Sequence, residues 1–324
     1  MRLIRHLRFL IVIVVCWLPS CSLHQPTQLD TTPNTDVELV DTPFFPQQQY
    51  QCGPAALAML LQASGIDIHP NDLSPRLYLP GRKGSLQLEM VASIRYNQRI
   101  PYIIEPEITA IASELLAGRP VLVMQNLGLR ILPAYHYAVI VGMQSSGQIV
   151  LRSGTTKRLI MDFDDFLISW KQAGSWAVIA LNPEELPTDL DLAKYLESIA
   201  GIEATGNVVL ADGGYRTLLK RYPDQPTALF GLANTLFARK RFSEAANIYR
   251  DLLRRDPTHS AAANNLAETL ASLQCFRQAL KLLDTFLLAN NQPSDLTTTL
   301  TATRREIEDR LKAEGAHNTD CPET

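Results

Sequence analysis

A chain of 324 residues exceeds the usual size of one domain, so two domains, each burying its own core, are the first expectation. Charged residues make up 19% and apolar ones 46%, as in globular proteins, while the formal net charge of -3 supplies neither a basic face for nucleic acid nor an acidic tail. No nucleic-acid partner is expected.

The first twenty residues differ from the rest. Arg2, Arg5 and Arg8 precede "FLIVIVVCWL", an apolar stretch too short to span a bilayer comfortably, and "PSC" follows. This order predicts a secretory signal over 1–20. "LPSC" at 18–21 also resembles the lipobox of bacterial lipoproteins, whose signal is removed ahead of a cysteine that is then acylated. The resemblance implies that Cys21 is the lipidated N-terminus, anchored to a membrane without spanning it. Ser22 in place of Asp implies the outer membrane, with the protein on its periplasmic face. An uncut anchor or an ordinary signal is the alternative. Cys16 would leave with the signal, so Cys52, Cys275 and Cys321 remain in an oxidising compartment, an odd number in which Cys275 and Cys321 are a candidate pair. Residues 21–40 are polar and aperiodic, as suits a flexible tether.

The first folded domain is predicted over 41–183. It opens with a helix in "QCGPAALAMLLQASG", passes a Pro- and Gly-containing loop region at 70–84, and includes "KGSLQLEMVASI", a second helix with Ser85 as its N-cap. It ends in strand-like runs at 120–125, 136–143, 149–153 and 176–181, with "SSGQ" as a hairpin turn. Helices followed by an antiparallel sheet make an α+β domain. "MDFDDF" offers Asp162, Asp164 and Asp165, of which Asp164 and Asp165 are expected to cap the helix "DDFLISW".

From 190 to 313 the pattern is all helix. "PTALFGLANTLFARKRFSEAANIYRDLLRRDP" places Leu229, Leu232, Ala233, Leu236, Ala245, Tyr249, Leu252 and Pro257 at positions 4, 7, 8, 11, 20, 24, 27 and 32 of a 34-residue unit. The spacing recurs at Ala263, Leu266, Ala267, Leu270, Ala279, Leu283 and Phe286, and in weaker form at Ala211, Tyr215, Leu218 and Pro223. This resembles the tetratricopeptide repeat, an all-α array that binds peptides or proteins in its concave groove. "SDLTTTLTATRREIEDRLKA" reads as the capping helix, and 314–324 as a disordered tail.

The chemistry centres on Cys52. With Pro54 in the first turn and Gly65 past the last, Cys52 falls at a helix N-terminus, where aligned peptide dipoles favour a thiolate. The bland alternative is a buried cysteine packed as a small hydrophobe. Two histidines of this domain are candidate bases: His69 in a turn before proline, and His136 at the start of an apolar strand, where an imidazole without a purpose would be costly. Together "Q-x4-CGPAALAM" and "HYAVIV" resemble the papain-like peptidases that process double-glycine leaders of bacteriocins, over about residues 41–181. The resemblance implies a papain-like fold, Cys52 as nucleophile and His136 as general base. It also implies Gln47, or its neighbour Gln48, as oxyanion donor, a contribution of about 3 kcal/mol.

The family's acid is missing, with Asp162, Asp164 and Asp165 of the neighbouring "MDFDDF" as possible substitutes. At its place on the strand after the hairpin stand Arg152 and Ser153, and a serine orients an imidazole without stabilising its charged form as a carboxylate does. No metal-ligand cluster, phosphate loop or G-x-S-x-G elbow occurs, and no cofactor or metal is expected. The sequence thus predicts a lipid-anchored cysteine peptidase whose repeats recruit a peptide or protein partner. Its rival is a weak or inactive peptidase fold serving as a binding scaffold of the cell envelope; amidase or transglutaminase-like chemistry on the same pair is a third, weaker option.

Overall fold

The computed structural model describes residues 36–46, 51–78, 81, 84–289 and 295–313. The expected signal, lipidation at Cys21, Gln47, Gln48, the C-terminal tail and the tether as far as residue 35 lie outside the described residues; the last residues assigned to the tether, 36–40, are described and include a strand, Val37–Glu38. No described helix is long and apolar enough to cross a membrane.

A short strand, β1 (Val37–Glu38), is followed by three helices, α1 (Cys52–Ala63), α2 (Pro70–Leu77) and α3 (Gln87–Tyr96). Then come β2 (Ile100–Ile103), α4 (Ile108–Leu116), β3 (Val121–Asn126), β4 (Tyr135–Gln144), β5 (Gln148–Ser153), β6 (Thr156–Asp162), α5 (Phe163–Gln172) and β7 (Ala177–Leu181). The strands form one antiparallel sheet in the order β2-β7-β3-β4-β5-β6, with β1 beside β4. This is the α+β domain that the run of helices before strands implies.

Five elements escaped the sequence reading, β1, α2, β2, α4 and β6, and three of them show why. The stretch expected as loop from residue 70 holds α2, which starts where Pro70 supplies a preset φ at the first helical position and His69 caps it. Strand β2 has no period-two pattern and contains Pro101, which an edge strand tolerates because one side of its ladder needs no donor. Strand β6 is the opposite, largely exposed edge. Two end assignments also change. Ser85 lies one residue before Leu86, the cap position of α3. Asp162, rather than Asp164 or Asp165, occupies the cap position of α5, with no side-chain cap bond; the other two acids sit in the first turn, where the helix dipole favours them.

The sheet separates two apolar layers. On one face α1 packs Ala56, Leu57, Met59, Leu60 and Leu61 against Leu122, Tyr137, Val139, Val141 and Val178. On the other, Val121, Val123, Ala138, Ile140 and Ile179 join Ile111 and Trp170 in a cluster that runs on into the helical region.

That region pairs α6 (Leu192–Ala204) with α7 (Val208–Arg221), α8 (Pro226–Ala238) with α9 (Phe242–Arg255), and α10 (Ser260–Ser272) with α11 (Phe276–Ala289), and ends in α12 (Asp295–Ala313). Ala211, Ala233, Ala245, Ala267 and Ala279 are fully buried, which lets neighbouring helices approach closely. Gly206, Lys240 and Gln274, at 34-residue intervals, all take positive φ between paired helices, so the first pair keeps the turn geometry although its side-chain pattern is weak. Its departure has a cause. A Cβ at Gly213 would lie 2.7 Å from Pro183, and one at Gly214 3.0 Å from Ile100, so α7 has shed side chains to press against the sheet domain. The connection from β7 is fixed too: buried Glu114 accepts from Thr188 N–H at 2.7 Å and pairs with Arg119 at 2.6 Å. Cys275 is held in a disulfide.

Candidate active site

Cys52 is the first residue of α1 and carries a free, half-buried thiol. Gln51 at the cap position bonds no first-turn N–H through its side chain, and no acid lies in that turn to oppose the helix's positive end. The following residue has to be glycine: a Cβ there would meet the Ser85 hydroxyl at 2.3 Å. The chain entering α3 thereby closes over the start of α1. Tyr137, on the adjoining face of β4, donates its hydroxyl to the Ser85 carbonyl at 3.3 Å and packs edge-on to Trp176. Burial, then the charges of Cys52 and Glu89, push the Tyr137 phenol far above its ordinary range, so it remains a neutral donor beside the thiol.

His136 immediately precedes Tyr137. Its Nε2 lies 2.9 Å from the Ser153 hydroxyl, and burial holds the imidazole below its ordinary pKa of 6.5, which keeps it neutral. Cross-strand, His136 sits opposite Gln125, whose amide donates to Ser169 at 2.8 Å. With Nε2 engaged, Nδ1 has no hydrogen-bond partner among the described residues and is the nitrogen left to exchange a proton. No hydrogen bond joins the thiol to the imidazole among the described residues. Strand alternation places Tyr137 on the face covered by α1 and His136 with Ala138 and Ile140, so the two groups approach one strand end from either side.

The other candidates separate cleanly. Arg152 donates to the carbonyls of Val40, Thr42 and Lys157, a buried clamp that fastens the N-terminal arm to β5, so Ser153 alone meets His136. Asp162 pairs with Gln148 at the far end of the β5–β6 ladder, whereas Ser153 pairs with Thr156 at the near end, and this distance removes Asp162 as a substitute acid. His69 is structural: its Nδ1 accepts from Asn71 N–H at 3.4 Å, its backbone N–H donates to the Asp72 carboxylate, and Phe45 packs against its ring. Residues unforeseen at the site are Tyr137, Ser85 and Glu89. Tyr137 had a signal, a phenol in an apolar strand beside the candidate histidine; the other two depend on how α3 folds back.

The loop between β3 and β4 completes the surroundings. Asn126 accepts from Gly128 and Ala134 N–H groups at 3.0 and 2.9 Å, and a Cβ at Gly128 would strike the Leu132 carbonyl at 2.6 Å. This built loop nevertheless exposes Leu127, Leu129, Ile131 and Leu132, Ile131 by 90%. Among the described residues no cluster of three or more His, Cys, Asp or Glu is arranged to hold a metal.

Residues 39–178 match the Peptidase_C39 like family, and residues 236–301 the Tetratricopeptide repeat. Among solved structures, the peptidase domain of Streptococcus ComA, described as a bi-functional ABC transporter involved in a quorum sensing pathway, is 22% identical, with a TM-score of 0.37, covering 44% of this chain and 98% of that one. The Sgt2 TPR domain from Aspergillus fumigatus is 20% identical, with a TM-score of 0.33, covering 41% of this chain and 89% of that one. Comparison with the curated proteins finds no match. The chain therefore joins a Peptidase_C39-like domain to tetratricopeptide repeats.

Proposed function

We propose that the protein is a cysteine peptidase, anchored by lipid at Cys21 to the periplasmic face of the cell envelope, most simply the outer membrane, whose repeats recruit a peptide or protein partner. The observation that carries this reading is the His136 imidazole, oriented through Nε2 by Ser153, next in the strand to Tyr137, whose phenol senses the charge of the free Cys52 thiol on a helix N-terminus. The Cys52 sulfur attacks a peptide carbonyl as its proton passes to His136 Nδ1. His136 then protonates the departing amine, leaving an acyl-thioester that water hydrolyses with the same imidazole as base. Gln47 holds the oxyanion. Thiol and imidazole tighten into contact when substrate binds, as catalytic hydrogen bonds do on complex formation. The exposed apolar loop preceding His136 supports a peptide substrate with apolar side chains near the scissile bond.

One observation favours the second reading, a binding module with weak or no turnover: a neutral serine stands where the imidazolium needs an anion. Alkylation of Cys52 by iodoacetamide across pH, in wild type and His136→Ala, tests the proposal. Fast alkylation near neutral pH, slowed at least tenfold in the variant, supports the catalytic pair. Equal rates in both proteins would leave the binding module.

A further inference from the structure

We propose that the junction between the Peptidase_C39-like domain and the first repeat pair is a binding site for a carboxylate anion, held by Arg95. A cavity of about 630 Å³ opens there between the last turn of α3 and the turn joining α6 to α7, lined by Arg95, Tyr96, Gln98, Thr205, Gly206 and Asn207. Nothing in the proposed chemistry at Cys52 uses it.

Arg95 carries the inference. Its Nε is buried with no hydrogen-bond partner, and among the described residues its guanidinium makes no hydrogen bond or ion pair at all. Arg95 is half-buried, and its Nε, cut off from water and from any described partner, carries a desolvation cost that a bound anion on the rest of the guanidinium would help to offset. Burial accordingly lowers its affinity for the proton, with Glu197 of α6 opposing that shift from beyond ion-pair distance. The group is nonetheless deliberately accommodated: Gly201 of α6 lies against it, and a Cβ there would come within 2.9 Å of Nη2.

The rest of the lining suits an anion with a polar backbone behind it. The 14-residue helix α7 begins at the cavity and presents its positive end, with Asn207 as its cap. Asn207 also donates to Gln98 at 3.0 Å, which ties the repeat turn to the end of α3 across the cavity. Arg76 stacks 3.5 Å above the Tyr96 ring and fixes that ring at the rim. Glu197 nearby weakens the field, so one negative charge fits better than two. A planar carboxylate matches the fork of a guanidinium, and amide side chains beside it match a peptide's terminal carboxylate and its preceding N–H and C=O.

The test is isothermal titration of the intact protein with N-acetyl-Ala-Ala, its C-terminal amide, acetate and inorganic phosphate. Binding of the dipeptide acid, at least tenfold tighter than the amide and abolished in Arg95→Met, is the expected result. Acetate binding as well as the dipeptide would support the site with a free carboxylate as its ligand. Asn207→Asp keeps a capping oxygen and adds a negative charge, so it should also lose the ligand while folding normally; it carries the test if Arg95→Met does not fold. Phosphate binding tighter than either carboxylate, no binding of any probe, or binding unchanged in both variants would overturn the proposal.

Discussion

Helix α3 and the repeat helices treat their buried polar groups in opposite ways. Five buried side-chain polar atoms lack a partner among the described residues, and four of them, on Ser85, Glu89, Ser93 and Arg95, belong to α3 and its entry. In the repeats, Asn234 accepts from both Tyr249 and Asn265, Asp212 meets Arg216 and Arg239, and Tyr215 donates to Glu203. A satisfied network fixes helices against one another; an unsatisfied one stores a cost that a ligand can relieve. The difference assigns architecture to the repeats and marks α3, which borders Cys52 at one end and the domain junction at the other, as the working element.

The largest expected effects fall at the site beside the first end of α3. Cys52→Ala should lower peptide hydrolysis by about 10^4-fold or more, with thermal stability changed by no more than about 1 kcal/mol, as read by turnover and calorimetry together. Retained turnover would remove Cys52 as nucleophile. Next, Ser153→Asp should raise kcat/KM by roughly tenfold or more, because a carboxylate at Nε2 stabilises the imidazolium that Ser153 cannot. The same variant should move the His136 titration upward, visible in imidazole proton shifts. In the wild type the sign is opposite. Folded His136 titrates below 6.5, so the unfolded chain binds the proton more readily. The contribution to stability is full above pH 6.5 and is lost as pH falls through the lower folded value; His136→Gln should flatten that acid-side loss in denaturation curves.

How much of this could be read from the chain depends on the range of the signal. The repeats are written locally, in alanines and leucines recurring at 34-residue spacing, and α6 to α12 fall within the span expected for them. The strands β3, β4, β5 and β7 announce themselves by β-branched runs. Strand β2 does not, because Pro101 and an edge position remove the usual pattern, and α2 hides behind Pro70 and Pro75, residues that ordinarily signal loops. At the site, Cys52, His136 and Ser153 were legible from motif and order. Their setting was not: that Arg152 clamps the arm while its neighbour reaches the imidazole depends on strand facing, and Ser85 and Glu89 approach Tyr137 only through the folding of α3 over α1. The role of Arg95 at the junction requires two domains in place at once.

Smaller effects separate the loop from the scaffold. Ile131→Ser should raise KM for an apolar peptide by about tenfold with kcat little changed, since a 90% exposed side chain that packs on nothing can act only through what it binds. Its melting temperature should not move. An unchanged KM would take the loop out of substrate binding. Within the repeats, Asn234→Ala should cost about 1–3 kcal/mol, because it strands the Tyr249 hydroxyl and the Asn265 amide together.

The mirror-image substitution in α3 gives the smallest effect and the sharpest contrast. The Ser93 hydroxyl is buried on the inner face of the helix with no partner among the described residues, beside fully buried Ile94. Serine is also a poorer helix former than alanine. Removing the hydroxyl takes away a polar group whose burial nothing offsets, so Ser93→Ala should stabilise the protein by about 0.5–1 kcal/mol, read as a shift of the urea midpoint at constant slope. Loss of stability would mean that Ser93 has a partner after all and that α3 is as well satisfied there as the repeats. A gain would place its cost on the functional side of the comparison: polar groups in α3 are retained against stability, whereas those in the repeats are retained for it.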